Sequence, residues 1–250
     1  MADETSERWC PGGPGGLRPM SLIWDGVARA VRLVLGGDPE VLGITGLSLQ
    51  ISGAATLLSM VVGMPLGTAL ALARFPGRAL VVSLVNTGMG LPPVVVGLFV
   101  SILLWRSGPL GFLELLYTPT AIVLAQFVIA APVVTGLTLA AVQQIPDRFR
   151  LQMLALGASR VQLVWVLIRE ARLPMLAALM AGFGAVISEV GASMMVGGNI
   201  RGQTRVLTTA TVLETGKGNF DVAIALSVIL LALTFAVNWV LTWIQQGRRP

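Results

Sequence analysis

Five long apolar stretches, separated by short polar connections, restrict this chain to one kind of fold. They run from about residue 44 to 72, 80 to 105, 120 to 142, 176 to 196 and 222 to 243. Each is near or above the roughly 20 residues that a tilted helix needs to cross the hydrocarbon core of a bilayer. Of 250 residues, 55% are hydrophobic and 12% are charged, against about 25% charged in soluble domains. The expectation is an all-α integral membrane protein with about five transmembrane helices over residues 41–245. Several stretches carry Pro or small-residue clusters, at Gly63 to Gly67, Gly90 to Pro93 and Ala130 to Pro132. Such breaks persist where neighbouring helices or a water-lined path satisfy the freed backbone groups, so they mark either packing kinks or a route through the membrane.

Residues 1–19 have acids where a signal peptide is basic and lack an apolar core, so they read as a disordered leader. Met20 is an alternative start. Residues 20–40 read as an amphipathic helix along the membrane interface: Ser21 offers a cap, and Leu22 to Leu35 put Asp25, Arg29 and Arg32 on one face. Residues 246–250 form a short tail. Cys10 is the only cysteine, which excludes an intrachain disulfide, and the chain has no histidine, which removes imidazole as ligand or base. The net charge of +5 requires no nucleic acid partner.

Between the third and fourth stretches lies a polar island, residues 146–174, with five arginines against Asp147 and Glu170. Asp147 is positioned to cap a short helix ending near Leu156, and Gly157 to close it in a left-handed turn. Ser159 then caps a second, amphipathic helix that stops at Pro174, where the proline opens the next span. The result is a helix–elbow–helix knob on the membrane surface, unless it is merely a solvated loop.

The second polar feature is Gly182 to Phe220. Glu189 is the one charged residue well inside a stretch, where an ionisable group faces a partner or a water-filled cavity. It either lines the path or braces a neighbouring helix. Gly198, Asn199, Gly202 and Thr204 follow in a loop suited to tight turns and exposed amides. Arg201, Arg205 and Lys217 add positive charge at the outer mouth, for contact with an anion or simply with solvent. Gln126, Asn86 and Asn238 are path-lining or interhelical groups, and Gly182, Gly184 and Gly191 suit close helix packing.

Two other patterns carry no chemistry. Gly216-Lys217-Gly218 lacks the glycine and the hydroxyl that a phosphate loop requires, since Thr211 and Gly218 occupy those places. The glycines of residues 12–16 have no strand–helix unit around them.

The elbow LGAS, Leu156 to Ser159, running on to Pro174, resembles the cytoplasmic signature loop of permease subunits from binding-protein-dependent ABC importers. It departs from the signature at Leu151, Gln152 and Met153, where that family has Glu-Ala-Ala. Further matches recur in order: GLPPVVVG from Gly90, RSGPLG from Arg106, EVGA from Glu189, GGNIRG from Gly197, LTTA from Leu207 and LETGKGNF from Leu213. Together they resemble the permease of tungstate-type ABC importers, relatives of the molybdate and sulfate permeases, over residues 20–245.

The resemblance implies a type I importer fold, a homodimer, ABC ATPase subunits and an extracytoplasmic oxyanion-binding protein. ATP and Mg²⁺ are then held by the ATPase, and this chain binds no cofactor or metal and performs no catalysis. Asp147, Arg148, Arg150, Leu154, Leu156, Gly157, Ala158 and Ser159 become the coupling loop. Pro92, Pro93, Glu189, Gly191, Gly198, Asn199, Gly202 and Thr204 become the path or gate. Placing the knob in the cytoplasm, as the resemblance implies, leaves nine basic residues inside against eight outside, and five spans then put the N-terminus outside and the C-terminus inside the cell membrane. Two rivals remain. An ATP-independent transporter or channel is disfavoured by the lack of an internal repeat and of intramembrane charges. A membrane enzyme lacks histidine, a paired acid within a span or a usable thiol.

Overall fold

Helix starts in this chain are written by local chemistry, and the longest shows it best. In the computed structural model, which describes residues 19–246, α2 (Pro39–Leu72) opens on Asp38, whose carboxylate accepts from the N–H groups of Glu40 and Val41 at 3.0 and 3.1 Å, with Pro39 in the first turn. α5 (Pro119–Gln143) repeats the device, with Thr118 accepting from Ala121 N–H and Pro119 following it. Both helices run on through an internal proline, Pro65 and Pro132.

These two form the most extensive helix–helix interface of the molecule. It is built on small residues that let the backbones approach. A methyl group in place of the Gly67 hydrogen would lie 2.5 Å from the Thr135 carbonyl oxygen, and one at Gly63 would lie 3.1 Å from Val134. α5 is the axis of the bundle: half of its apolar window is buried, against 33% in α2 and 22% in α11 (Phe220–Gln246).

Three helices, α2, α5 and α11, are long and apolar enough to cross a membrane unbroken. The stretches at 80–105 and 176–196, expected as continuous spans, are instead bent pairs. α3 (Arg78–Met89) meets α4 (Pro93–Leu104) at 102°, and α8 (Arg172–Ile187) meets α9 (Gly191–Gly197) at 59°. The first bend has a direct cause. Gly90 closes α3, Pro92 is extended at φ −61° and ψ 123°, and Pro93 starts α4 without an N–H to continue the ladder. Among the described residues there are eleven α-helices and no strand.

α1 (Pro19–Leu35) packs against α11, an arrangement that amphipathic patterning alone does not specify. Gly26 sits directly on Ile224, Ala30 is buried, and Arg29 pairs with Asp221. Ser21, expected as the cap, lies inside the helix. α10 (Leu207–Gly216) folds back beside α11, its first N–H donating to Ser48 Oγ of α2 at 2.8 Å. On the outside of α11, Leu231, Phe235, Trp239 and Trp243 form an exposed stripe at four-residue spacing, a surface suited to hydrocarbon. The leader and the residues beyond Gln246 lie outside the described residues.

Candidate translocation path and coupling elbow

The knob at one end of the bundle consists of α6 (Asp147–Ala155) and α7 (Arg160–Glu170). Pro146, extended at ψ 140°, takes the cap position, so Asp147 is the first helical residue and not the cap. There its charge suits the positive helix end, and it lies 3.7 Å from Arg150. Arg150 ties α6 to α5 through a 3.1 Å hydrogen bond from Nη2 to the Val142 carbonyl.

The elbow itself is a Schellman turn. Gly157 N–H donates to Leu154 O, Ala158 N–H donates to Met153 O, and Gly157 has φ +82°. Ser159 and Gln162 close a reciprocal capping box on α7, at 3.3 and 2.7 Å. α7 ends at Glu170 with Ala171 as its cap, and α8 starts at Arg172, so Pro174 lies in the first turn of α8 instead of opening it.

The outward face of this knob is apolar. Leu156 and Val161 are about four-fifths exposed (80% and 79%), and Leu151, Leu154 and Trp165 are exposed beside them. Arg169 stacks over Trp165 with 5.4 Å to the ring centroid. Met153, Leu156, Gly157, Val161, Gln162 and Trp165 line an open cleft of about 610 Å³. Arg148 points to a second cleft, of about 450 Å³, with Gln152 and Glu170. Exposed apolar side chains gathered on one face in this way are characteristic of interaction surfaces.

At membrane depth the two helix breaks abut. A methyl on Gly191 would lie 2.6 Å from Val94 Cγ2, which sets the α8–α9 break against Pro92 and Pro93. Gly97 lets Ala192 approach α4 in the same way, at 2.7 Å. Glu189 is 7% exposed and braces the break: its Oε1 accepts from Ala192 N–H at 2.8 Å, and its carbonyl accepts from Thr208 Oγ1 at 2.9 Å. Gln126 is buried and reaches Ser193 Oγ from α5, an interhelical contact. Asn86 and Thr87 on α3 are exposed just before the first break, and Asn238 on α11 is half-buried. Irregular backbone at this depth occurs where protein or a water-filled passage satisfies it.

The loop after α9 is separate from these breaks, about 10 Å away along seven residues of helix. Gly198, Asn199 and Gly202 all have positive φ, and Thr204 Oγ1 pins the turn by donating to Gly197 O and accepting from Ile200 N–H. Its basic residues are paired. Arg201 forks onto Glu40 at the start of α2, and Arg205 Nη1 lies 3.7 Å from the same carboxylate. The hydrogen bond from Arg201 to Glu40 raises the guanidinium pKa further. Lys217 pairs with Glu214 at 2.7 Å. Glu40 escapes sequence reading because it precedes the apolar stretch and its partner lies 161 residues away.

Comparison with known proteins matches residues 63–250 to the family described as "Binding-protein-dependent transport system inner membrane component". The chain is 45% identical, over 79% of its length and 88% of the relative, to a probable anion ABC transporter permease protein of Haloferax volcanii. It is 38% identical, over 91% of its length and 100% of the relative, to a tungstate uptake system permease protein of Peptoclostridium acidaminophilum. The fold superposes on the methionine ABC transporter MetNI in an inward-facing conformation with a TM-score of 0.71, at 21% identity and covering 84% of this chain and 97% of that one. The chain is therefore a multi-pass membrane permease of the type I importer fold, a member of the binding-protein-dependent transport system inner membrane component family.

Proposed function

We propose that two copies of this chain form the membrane path of an ABC importer for a tetrahedral oxyanion, tungstate first. The observation that carries this reading is 38% identity across 91% of the chain to a tungstate uptake permease. The relatives in molybdenum transport are more distant, at 29% identity. ATP hydrolysis resides on partner subunits, and this chain supplies no catalytic group. The apolar face around Leu156, Val161 and Trp165, with the Asp147–Ser159 elbow, is the seat of the ATPase on the cytoplasmic side. The abutting breaks at Pro92–Pro93 and Glu189–Gly191 form the gate, with Glu189 as its brace. A binding protein delivers the anion to the opposite end, near the loop from Gly198 to Thr204.

In this mechanism nucleotide-driven closure of the ATPase pair moves the elbow. The motion passes through α7 and α8 into the 59° bend, and the gate opens or closes by population shift between two packings. The test is reconstitution of the chain with its ATPase and binding protein in proteoliposomes. Tungstate uptake is expected only with ATP and both partners present. Uptake by the chain alone down an ion gradient would place it among secondary transporters and end this reading.

A further inference from the structure

We propose that Arg201 and Arg205 are an anion-acceptor site at the mouth opposite the knob, held shut in this conformation by Glu40. The proposal rests on the reading of the cargo as a tetrahedral oxyanion. Three charged side chains converge there from distant parts of the chain. Arg201 Nε lies 2.8 Å from Glu40 Oε1, and its Nη2 contacts Oε2, a planar fork on a planar carboxylate. Arg205 Nη1 approaches Oε1 at 3.7 Å, and Asn199 Oδ1 holds its Nε at 3.3 Å. A tetrahedral oxyanion offers the same pair of acceptor oxygens with twice the charge, so the carboxylate occupies the place that such an anion would take.

Two further features make this a site and not only a tie. An open cleft of about 640 Å³ adjoins the cluster, lined by Glu40, Gly43, Gly46, Gln50, Arg201 and Arg205, with ample room for the anion. The tie is also easily released. The side chains of Arg201 and Glu40 are 72% and 40% exposed, and exposed ion pairs contribute little. Arg205, at 17%, is the fixed member, set by the left-handed turn at Asn199. Asp38, already engaged in capping α2, adds a second negative charge beside Glu40. Closed, the cluster is two cations against two acids. When the loop leaves α2, it unmasks two guanidinium groups facing the cleft. When it returns, Glu40 again occupies the same donors and masks the site.

The test compares Glu40→Gln with Arg201→Gln in the full complex, with ATPase and binding protein in proteoliposomes, using tungstate below half-saturation. Both positions are exposed, and copurification of the ATPase verifies assembly. Glu40→Gln removes the competitor and leaves the acceptor, so uptake is expected at or above the wild-type rate. Arg201→Gln removes one arm of the acceptor and is expected to lower uptake about tenfold, the loss of one charge-assisted contact. Equal losses in both would show a structural tie only and overturn the proposal, as would unchanged uptake in Arg201→Gln. The paired exchange Glu40→Arg with Arg201→Glu rebuilds the tie with an acidic loop; it is expected to be inactive, and wild-type uptake there would also refute the acceptor role. A wild-type complex that assembles and hydrolyses ATP but moves no tungstate, molybdate or sulfate would instead bring down the oxyanion reading, and this proposal with it.

Discussion

Replacing Gly157 with valine tests whether the shape of the elbow, and not just its presence, transmits work. The residue sits at φ +82°, and a methyl group there would meet nothing within 4 Å, so the substitution brings conformational strain without a clash. Holding a residue with a Cβ in the left-handed region costs roughly 1–2 kcal/mol, a factor of about 5–30 in the population of the turn. α6 and α7, of nine and eleven residues, are too short to keep their relative angle without that turn. The α2–α5 interface lies elsewhere, so membrane assembly is expected to be intact. Binding-protein-stimulated ATP hydrolysis and tungstate uptake in proteoliposomes are expected to fall together within that range. Gly157→Asn, which tolerates the left-handed region, is expected to keep most of both. A valine variant with unchanged stimulated hydrolysis and uptake would refute a coupling role for the elbow geometry.

Three other outcomes follow from the packing and the charge pairs. Gly67→Ala drives a methyl into the Thr135 carbonyl and is expected to destabilise by about 1–3 kcal/mol, read as a lower thermal midpoint in detergent. Gly43→Ala, with open space around it, is the neutral control. Glu189→Leu leaves the Ala192 N–H without its acceptor, a loss of about 1–3 kcal/mol. Glu189→Gln keeps an acceptor oxygen and most of the stability, so equal midpoints for the two would sink the bracing role. The hydrogen bond from Asn219, and then that from Lys217, lowers the Glu214 pKa below its ordinary value of 4.5. A depressed carboxyl pKa stabilises the fold above that value, and the contribution disappears as pH falls through the lowered folded-state pKa. Wild-type protein should therefore lose thermal stability across that window, and Glu214→Gln should lose less; parallel pH curves would contradict it.

What the sequence disclosed was local. The cap at Ser159 and the left-handed turn at Gly157 each need only a few neighbouring residues to be read, while the return bond from Gln162 to the Ser159 N–H came with the structure. Asp147 was misplaced by one position because Pro146, fixed in extended backbone, can itself stand at the cap. The Gly90–Pro93 cluster marks the first bend as a break but not its angle of 102°, whereas the bend at Ser188–Val190 has no proline to announce it, and apolar residues on both sides of a corner read as one run. The pairing of Arg201 with Glu40 and of Arg29 with Asp221 lay beyond reach, for those partners are 161 and 192 residues apart and meet only when the bundle closes. The same distance explains why Arg201 and Arg205, expected to face solvent or cargo, prove to be tied to an acid, whereas Lys217 meets Glu214 within one helical turn.

The contact between the first described helix and the last sets an order on biogenesis. Some 185 residues separate Leu35 from Phe220. At about 5–20 residues per second, the ribosome takes roughly 10–40 s to make the surface on which Gly26 and Ala30 will rest. During that interval the apolar side of α1 is without its seat on Ile224 and has only its small contact with α2, and lipid, to lie against. Docking of α1 is thus the closing act of assembly, and a nascent chain stalled before α11 carries its earliest helix undocked.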